Sequence, residues 1–510
     1  MRSITPSTNI HYRVATVCAG CLVLLFAWYV RIRPFFRSSG IWAFPIDYDE
    51  GVYFATAALF NKGFLPYRDF VSVHPPGLVL FLSGVAKIHE FFSANIQDSF
   101  VFAKGLATFV GVLNTALVGV VVKRVTKSGS IALLAASLYA IYPEAVTVER
   151  GTFLEPILNL TCLLVTFFVI ERQYLSSKKI LAAGIFCGLA MTIKLWAGIW
   201  FLAVLVTLPK ENRFRYGFSF ATAATITWLL CILPFFASAP RNFYEQILLF
   251  HLGRAPDGDI AKLPRLLAIW KWYRFPIVFL CFSWVMFSLN KSTRENCRRI
   301  SFVITTYVLI LCAFMASPSY WDQYNAFLAP SESILAAVAL STWCSLGYFQ
   351  KFPNRLRVMV LVLLSLGLVI PGAYCSLRAT RMHNNNFLNF VTMAQSVVGS
   401  DKSLCAFEPA WGLALGFLPQ NKKSIVADPY ATMLMDAKKS GIHFENSAQA
   451  FAHEMSATTI KNYLEVCDLV ILGWRGQWQL PKDAKDWFYE TFTNILLPVD
   501  YDGLDLWLHN

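Results

Sequence analysis

Apolar runs of roughly 18–24 residues recur through most of the chain, separated by short polar loops. A hydrocarbon layer about 30 Å thick demands helices of that length. Only 15% of the 510 residues are charged and 56% are hydrophobic, whereas an ordinary soluble domain is about 25% charged. Mean hydropathy is +0.50. So apolar a chain is neither disordered nor free in water. The sequence predicts a polytopic α-helical membrane protein with about eleven transmembrane helices. The expected spans are 12–30, 99–122, 130–147, 152–171, 180–193, 195–209, 217–237, 275–290, 300–316, 325–345 and 357–375.

Basic residues outnumber acidic ones, 44 to 31, for a net charge of +13. No nucleic-acid motif accompanies this excess, so it reads as short basic loops on the cytoplasmic side and not as a nucleic-acid surface. Those loops are Lys123 to Lys127, Arg172 to Lys179, Lys210 to Arg215, Lys291 to Arg299 and Lys351 to Arg357. They share one side only if the N-terminus is inside and residues 75–92 lie in the outer interface without crossing. Residues 31–98 then form one long external loop with two interfacial helices, at about 50–62 and 75–92. A second external segment covers 238–274. No small-residue cleavage site follows the basic N-terminus, so the first helix is expected to stay uncleaved.

Beyond about residue 376 the composition turns polar, beginning at Asn384-Asn385-Asn386. Segments 403–407, 424–428 and 468–474 read as short buried strands, and 429–440 and 446–466 as helices between them. Residues 1–375 are therefore expected to form the membrane module and 376–510 a small α/β domain on the outer side. Most of the 12 cysteines sit in apolar runs and read as small hydrophobes. Cys405 and Cys467 in the tail could pair.

Chemistry concentrates in the first external loop. Asp47-Tyr48-Asp49-Glu50-Gly51 sets three carboxylates at the mouth of the membrane, which is costly unless they are solvated or used. In the alternative reading, Asp49 is simply the exposed N-cap of the helix at 50–62. Tyr67-Arg68-Asp69 and His74-Pro75-Pro76-Gly77 follow. The prolines place His74 at a helix start, a favourable anion site or only a turn. Lys194 falls between two half-length apolar runs, where it meets an anion or snorkels. Arg254 lies in the second external loop and is a phosphate ligand or a solvated charge. Tyr320-Trp321-Asp322-Gln323-Tyr324 precedes a helix and reads as an interfacial belt or as a sugar or acceptor contact. No metal-ligand spacing is present.

The stretch DEGVYFATAALFNKGFLPYRDFVSVHPPG resembles the first external loop of the dolichyl-phosphate-mannose–protein mannosyltransferase family and of the bacterial aminoarabinose transferases. Both belong to the GT-C glycosyltransferases, which use polyprenyl-phosphate sugars. The resemblance covers this loop specifically and continues more weakly to about residue 345. It implies that Asp49 is the catalytic aspartate, Glu50 its neighbour and Glu155 a second acidic residue, where the family has Asp-Pro. It implies that His74 lies near the lipid phosphate and that Arg254 binds it, with Lys194 a further candidate. Val52 stands where aminoarabinose transferases carry Arg. Tyr53, Arg68, Tyr320, Gln323 and Tyr324 are candidate substrate contacts.

The implied reaction moves a sugar from a polyprenyl-phosphate donor to an acceptor hydroxyl on the outer face, by inverting single displacement. The implied partners are that lipid-linked donor, a protein, lipid or glycan acceptor, and membrane lipids. No cofactor or metal is expected, and the bacterial plasma membrane fits the resemblance. The competing reading is a transporter or lipid flippase. It calls for mid-membrane polar residues and an internal repeat, whereas the charges here cluster at one face and no repeat appears.

Overall fold

The computed structural model describes residues 6–34, 47–171, 175–258, 264–265, 271, 274–289, 294–345, 351, 353–380, 386–398, 402–420, 425–497 and 503–510. The expected loops Arg172 to Lys179 and Lys291 to Arg299, and the Asn384–Asn386 run, fall partly outside these residues.

Each expected span carries a helix. The first ten helices are α1 (Pro6–Ile32), α2 (Tyr48–Asn61), α3 (Gly77–Glu90), α4 (Ile96–Thr126), α5 (Gly129–Ala140), α6 (Pro143–Val148), α7 (Glu155–Val169), α8 (Ser177–Ile193), α9 (Gly198–Thr207) and α10 (Arg213–Ser238). Longer apolar helices follow at Phe275–Leu289, Arg294–Ala316, Ala329–Ser345 and Asn354–Ala379. Among the described residues, four stretches are long and apolar enough to cross a membrane: Val14–Ile32, Ile96–Thr126, Lys210–Ser238 and Arg355–Ala379. This is a multi-pass α-helical membrane protein.

Local chemistry sets the boundaries. Asn95 caps α4 by accepting from the Gln97 amide at 2.9 Å. Lys127 ends α4 in the left-handed region at φ 56°, and Ser128 then caps α5. The expected single span 130–147 breaks into α5 and α6. Pro143 forces the preceding Tyr142 out of helical geometry, to φ −72° and ψ 110°. Helix α8 packs closely on α10 because Gly184 and Gly188 leave no side chain in the way; a Cβ on either would meet the backbone at Phe220 or Ala224.

The tail builds an α/β unit. Two two-residue strands, β1 (Asp257–Gly258) and β2 (Ser319–Tyr320), pair in parallel nearer the membrane part. The tail sheet holds β3 (Leu404–Ala406), β4 (Leu469–Leu472), β5 (Phe492–Ile495) and β6 (Asp505–His509) in the order β3-β4-β6-β5. Strand β3 runs parallel to β4, and the other pairings are antiparallel. Two expectations are corrected. Of the strand expected at 424–428, the described residues 425–428 form only an isolated bridge from Ile425 to Gln420, because Asp428 turns away to cap helix Pro429–Lys439. The single helix expected at 446–466 is two, Ser447–Phe451 and Glu454–Leu464, with His453 capping the second. Cys405 and Cys467 form a disulfide.

The tail rests directly on α2. A Cβ at Gly51 would strike the backbone of Ala410, so glycine permits the contact. Tyr48 donates to Asp428 at 2.9 Å and accepts from the Tyr430 amide at 3.0 Å. Beneath it, Arg31 is sealed among helices. Its guanidinium grips Glu149 at 2.5 and 2.8 Å and donates to the carbonyls of Ala27 and Ala140. Asn114 and Tyr139 donate to the other Glu149 oxygen.

Candidate active site

Helix α2 begins two residues earlier than expected. Asp47, not Asp49, is its N-cap and accepts from the Asp49 amide at 3.3 Å. That relieves Asp49 of the capping role and lets it line a cavity of about 480 Å³ between the membrane helices and the tail. Gln323 donates to an Asp49 oxygen at 2.8 Å and fixes the carboxylate.

The other expected charges arrive from distant elements. Lys194 sits where α8 breaks, with extended backbone at φ −149° and ψ 130°. Its ammonium lies 3.0 Å from Glu155, the first residue of α7, and over the rings of Trp196 and Tyr324 at 4.8 and 4.5 Å. His74 precedes α3 and packs 5.4 Å from the His251 ring and edge-on to Tyr53. His251 in turn donates to the Val73 carbonyl at 2.6 Å. Burial, and then the positive fields of His251, Lys194 and Arg254, hold His74 well below the usual imidazole range. A neutral imidazole there can donate one hydrogen bond without carrying charge. Arg254 donates to Tyr430 at 2.8 Å and pairs with Asp257 at 3.2 Å. Asp257 also accepts from Ser447 at 2.9 Å and from Tyr430.

Asp49, His74, Lys194 and Arg254 thus face one cavity, together with Glu155, Tyr53, Gln323 and Tyr324. Three expected residues do not join them. Glu50 points inward, fully buried, and pairs with Lys104 at 3.1 Å. Successive residues near the start of a helix diverge by about 100°, and that step turns Glu50 away from Asp49 into the core. Arg68 forks onto its neighbour Asp69 at the surface. Tyr320 is buried and donates to Asn325 at 2.6 Å. Among the described residues, no group of three or more His, Cys, Asp and Glu side chains is placed to hold a metal ion.

The tail supplies what sequence reasoning did not foresee. Asp428, Tyr430, Trp474 and Arg475 line the cavity. Asp428 looks like a helix cap in the sequence, and it is one; its second position, against Tyr48, comes only from folding. Burial raises its carboxyl from 3.8 to about 6, against the opposing pull of the hydrogen bonds from Ala431 and Tyr48. A carboxyl whose folded pKa is raised contributes stability below its ordinary pKa, and that contribution is lost as pH rises through about 6. The Asp428→Asn variant keeps the capping oxygen and cannot ionise. Thermal melts from pH 4 to pH 7 should show the wild type losing up to about 3 kcal/mol relative to this variant. Parallel melting profiles would contradict the assignment.

Residues 64–243 match the profile of the dolichyl-phosphate-mannose-protein mannosyltransferase family. Comparison with curated proteins finds no match. Among solved structures, the chain resembles the oligosaccharyltransferase AglB of Archaeoglobus fulgidus, solved with an inhibitory peptide and a dolichol-phosphate. The TM-score is 0.59 at 11% identity, covering 95% of this chain and 73% of that one. It also resembles ArnT of Cupriavidus metallidurans in the apo state, with TM-score 0.57, 14% identity and 98% of each chain covered. Undecaprenyl-phosphate-bound ArnT gives 0.58, with the same identity and coverage. The fold is that of the GT-C glycosyltransferases. The start of α2 and the break after α8 carry Asp49 and Lys194 to one cavity, which tail residues also line.

Proposed function

We propose that the protein transfers a sugar from a polyprenyl-phosphate donor to an acceptor hydroxyl, and that Asp49 is the general base. The carrying observation is that Asp49, His74 and Lys194, far apart in sequence, line one cavity. In the proposed step the acceptor oxygen attacks the anomeric carbon. Its proton passes to an Asp49 oxygen. The bond from the anomeric carbon to the phosphate oxygen breaks with its electron pair on the phosphate, which leaves as polyprenyl phosphate. A single displacement of this kind inverts the anomeric centre.

The leaving phosphate gains charge, and preorganised donors stabilise it. Lys194 and His74 are assigned that role. Arg254, held by Asp257 and Tyr430, adds positive field at the same end. Glu155 orients Lys194, and Gln323 orients Asp49. Tyr53 and Tyr324 wall the donor sugar. Two cations, Lys194 and Arg254, and the neutral His74 donor supply this stabilisation, and the step is assigned to these protein groups. The Cys405–Cys467 disulfide suits an oxidising compartment, which supports an outer-face position for the tail and the cavity.

Binding of undecaprenyl phosphate to the purified full-length protein tests the donor assignment. Lys194→Ala is expected to weaken it about 100-fold, the scale of one lost preorganised donor. Equal binding by wild type and variant would move the phosphate elsewhere.

A further inference from the structure

We infer that the slot between Asp49 and Arg475 is the acceptor subsite and takes a neutral saccharide. The inference rests on the transferase reading and adds the class of acceptor to it. Arg475 is 9% exposed, lines the cavity, and is caged by aromatic rings. Its guanidinium carbon lies 4.3 Å from the Tyr48 ring centre, 5.3 Å from Tyr430 and 5.9 Å from Trp321. Its Nε is buried without a hydrogen-bond partner. Among the described residues its guanidinium donates no hydrogen bond, and no carboxylate oxygen comes within ion-pair distance. A guanidinium donor buried without a partner is costly.

The position of Arg475 is built, not incidental. Its helix, Trp474–Gln479, is pinned at its start by Glu408, which accepts from the Arg475 and Gly476 amides at 2.6 and 3.1 Å. The charges around the slot select the ligand. Asp49 and Asp47 bear on the Arg475 guanidinium, and Arg475 bears on Asp428. An anionic acceptor would meet three carboxylates around Arg475, while the other two cations of the cavity, Lys194 and Arg254, are already paired with Glu155 and Asp257. A neutral polyol would not: one hydroxyl can donate to Asp49 while a neighbouring hydroxyl oxygen accepts from Arg475.

The outer rim supplies the rest of a sugar site. Trp474 lines the cavity and is 62% exposed, and Trp478, one turn on, is 59% exposed. Indole faces offer a flat apolar platform with a polar edge, complementary to a sugar ring with one C–H face and a rim of hydroxyls. Trp474 is part of the cavity wall, so a saccharide resting on its ring can reach Asp49.

The full-length protein in lipid discs can be applied to an array of neutral hexose oligosaccharides, acidic oligosaccharides, and Ser- and Thr-containing peptides. Undecaprenyl-phosphate binding is measured in parallel. The wild type should retain a subset of the neutral oligosaccharides. Trp474→Ala and Arg475→Ala should each weaken that retention about tenfold, the scale of one aromatic contact or more. Arg475→Lys should restore part of the loss. Retention only of peptides or acidic glycans, no retention at all, or unchanged retention by both variants would overturn the inference. Any of these with undecaprenyl-phosphate binding intact leaves the transferase reading standing. Loss of lipid binding by the wild type would instead sink the transferase reading itself.

Discussion

Asp49→Asn is expected to lower sugar transfer about 10²–10⁴-fold, the usual contribution of a positioned general base. The substitution preserves size and leaves one oxygen for the Gln323 amide, which now holds the carboxylate at 2.8 Å. It does not disturb the helix start, because Asp47 is the cap. The loss should therefore fall on kcat, while undecaprenyl-phosphate binding stays near the wild-type value. Asp47→Asn is the internal comparison. It touches the same helix turn and should change transfer far less. Transfer within tenfold of wild type by a correctly inserted Asp49→Asn protein would remove Asp49 as the base. A Glu50→Gln variant would lose a buried partner of Lys104, and its defect should appear in stability first.

Arg31→Ala should destabilise the helical bundle by about 3–5 kcal/mol, because it leaves Glu149 charged and uncompensated where no water reaches. The guanidinium makes four hydrogen bonds, two to Glu149 and one each to the carbonyls of Ala27 and Ala140. Pair, backbone and neighbours form one network, and networks lose more than their separate pairs. The check is the unfolding midpoint of detergent-purified protein, with the double variant Arg31→Ala, Glu149→Gln alongside. The double variant should recover part of the loss, since neither charge is then stranded. A loss below about 1 kcal/mol for Arg31→Ala would mean that the buried pair is not what joins α1 to α5 and to the end of α6.

Much of the site was legible in the sequence because its parts are local. The prolines before α3, the break at Lys194 and the acidic start of α2 are each written in a few adjacent residues. Short-range rules place them within a residue or two. The same rules misassigned the cap of α2, because two aspartates two residues apart compete for it and only tertiary packing chooses. The family resemblance offered Glu50 as the neighbour of Asp49, and Arg68 was a candidate from the same loop. Helical geometry turns Glu50 inward, and Arg68 is taken by its neighbour. Strands β5 and β6 escaped detection. FTNI and DLWLH are short, and their burial is uneven, so neither shows a clean two-residue period. Arg475 was hidden most completely. Nothing in its local sequence, Trp474 to Gln479, distinguishes it from an ordinary helix start. Its neighbours Tyr48 and Asp49 lie more than four hundred positions away.

The seat of Ala410 on Gly51 has a mechanical consequence. The turn of helix that carries Asp49 has no slack against the tail, so the two move as one part. An engineer grafting a foreign tail onto this membrane core would have to match that seat to within a methyl group. A graft that failed to do so would swing the Asp49 carboxylate away from Gln323 and out of its place in the cavity, even with every residue of the core intact.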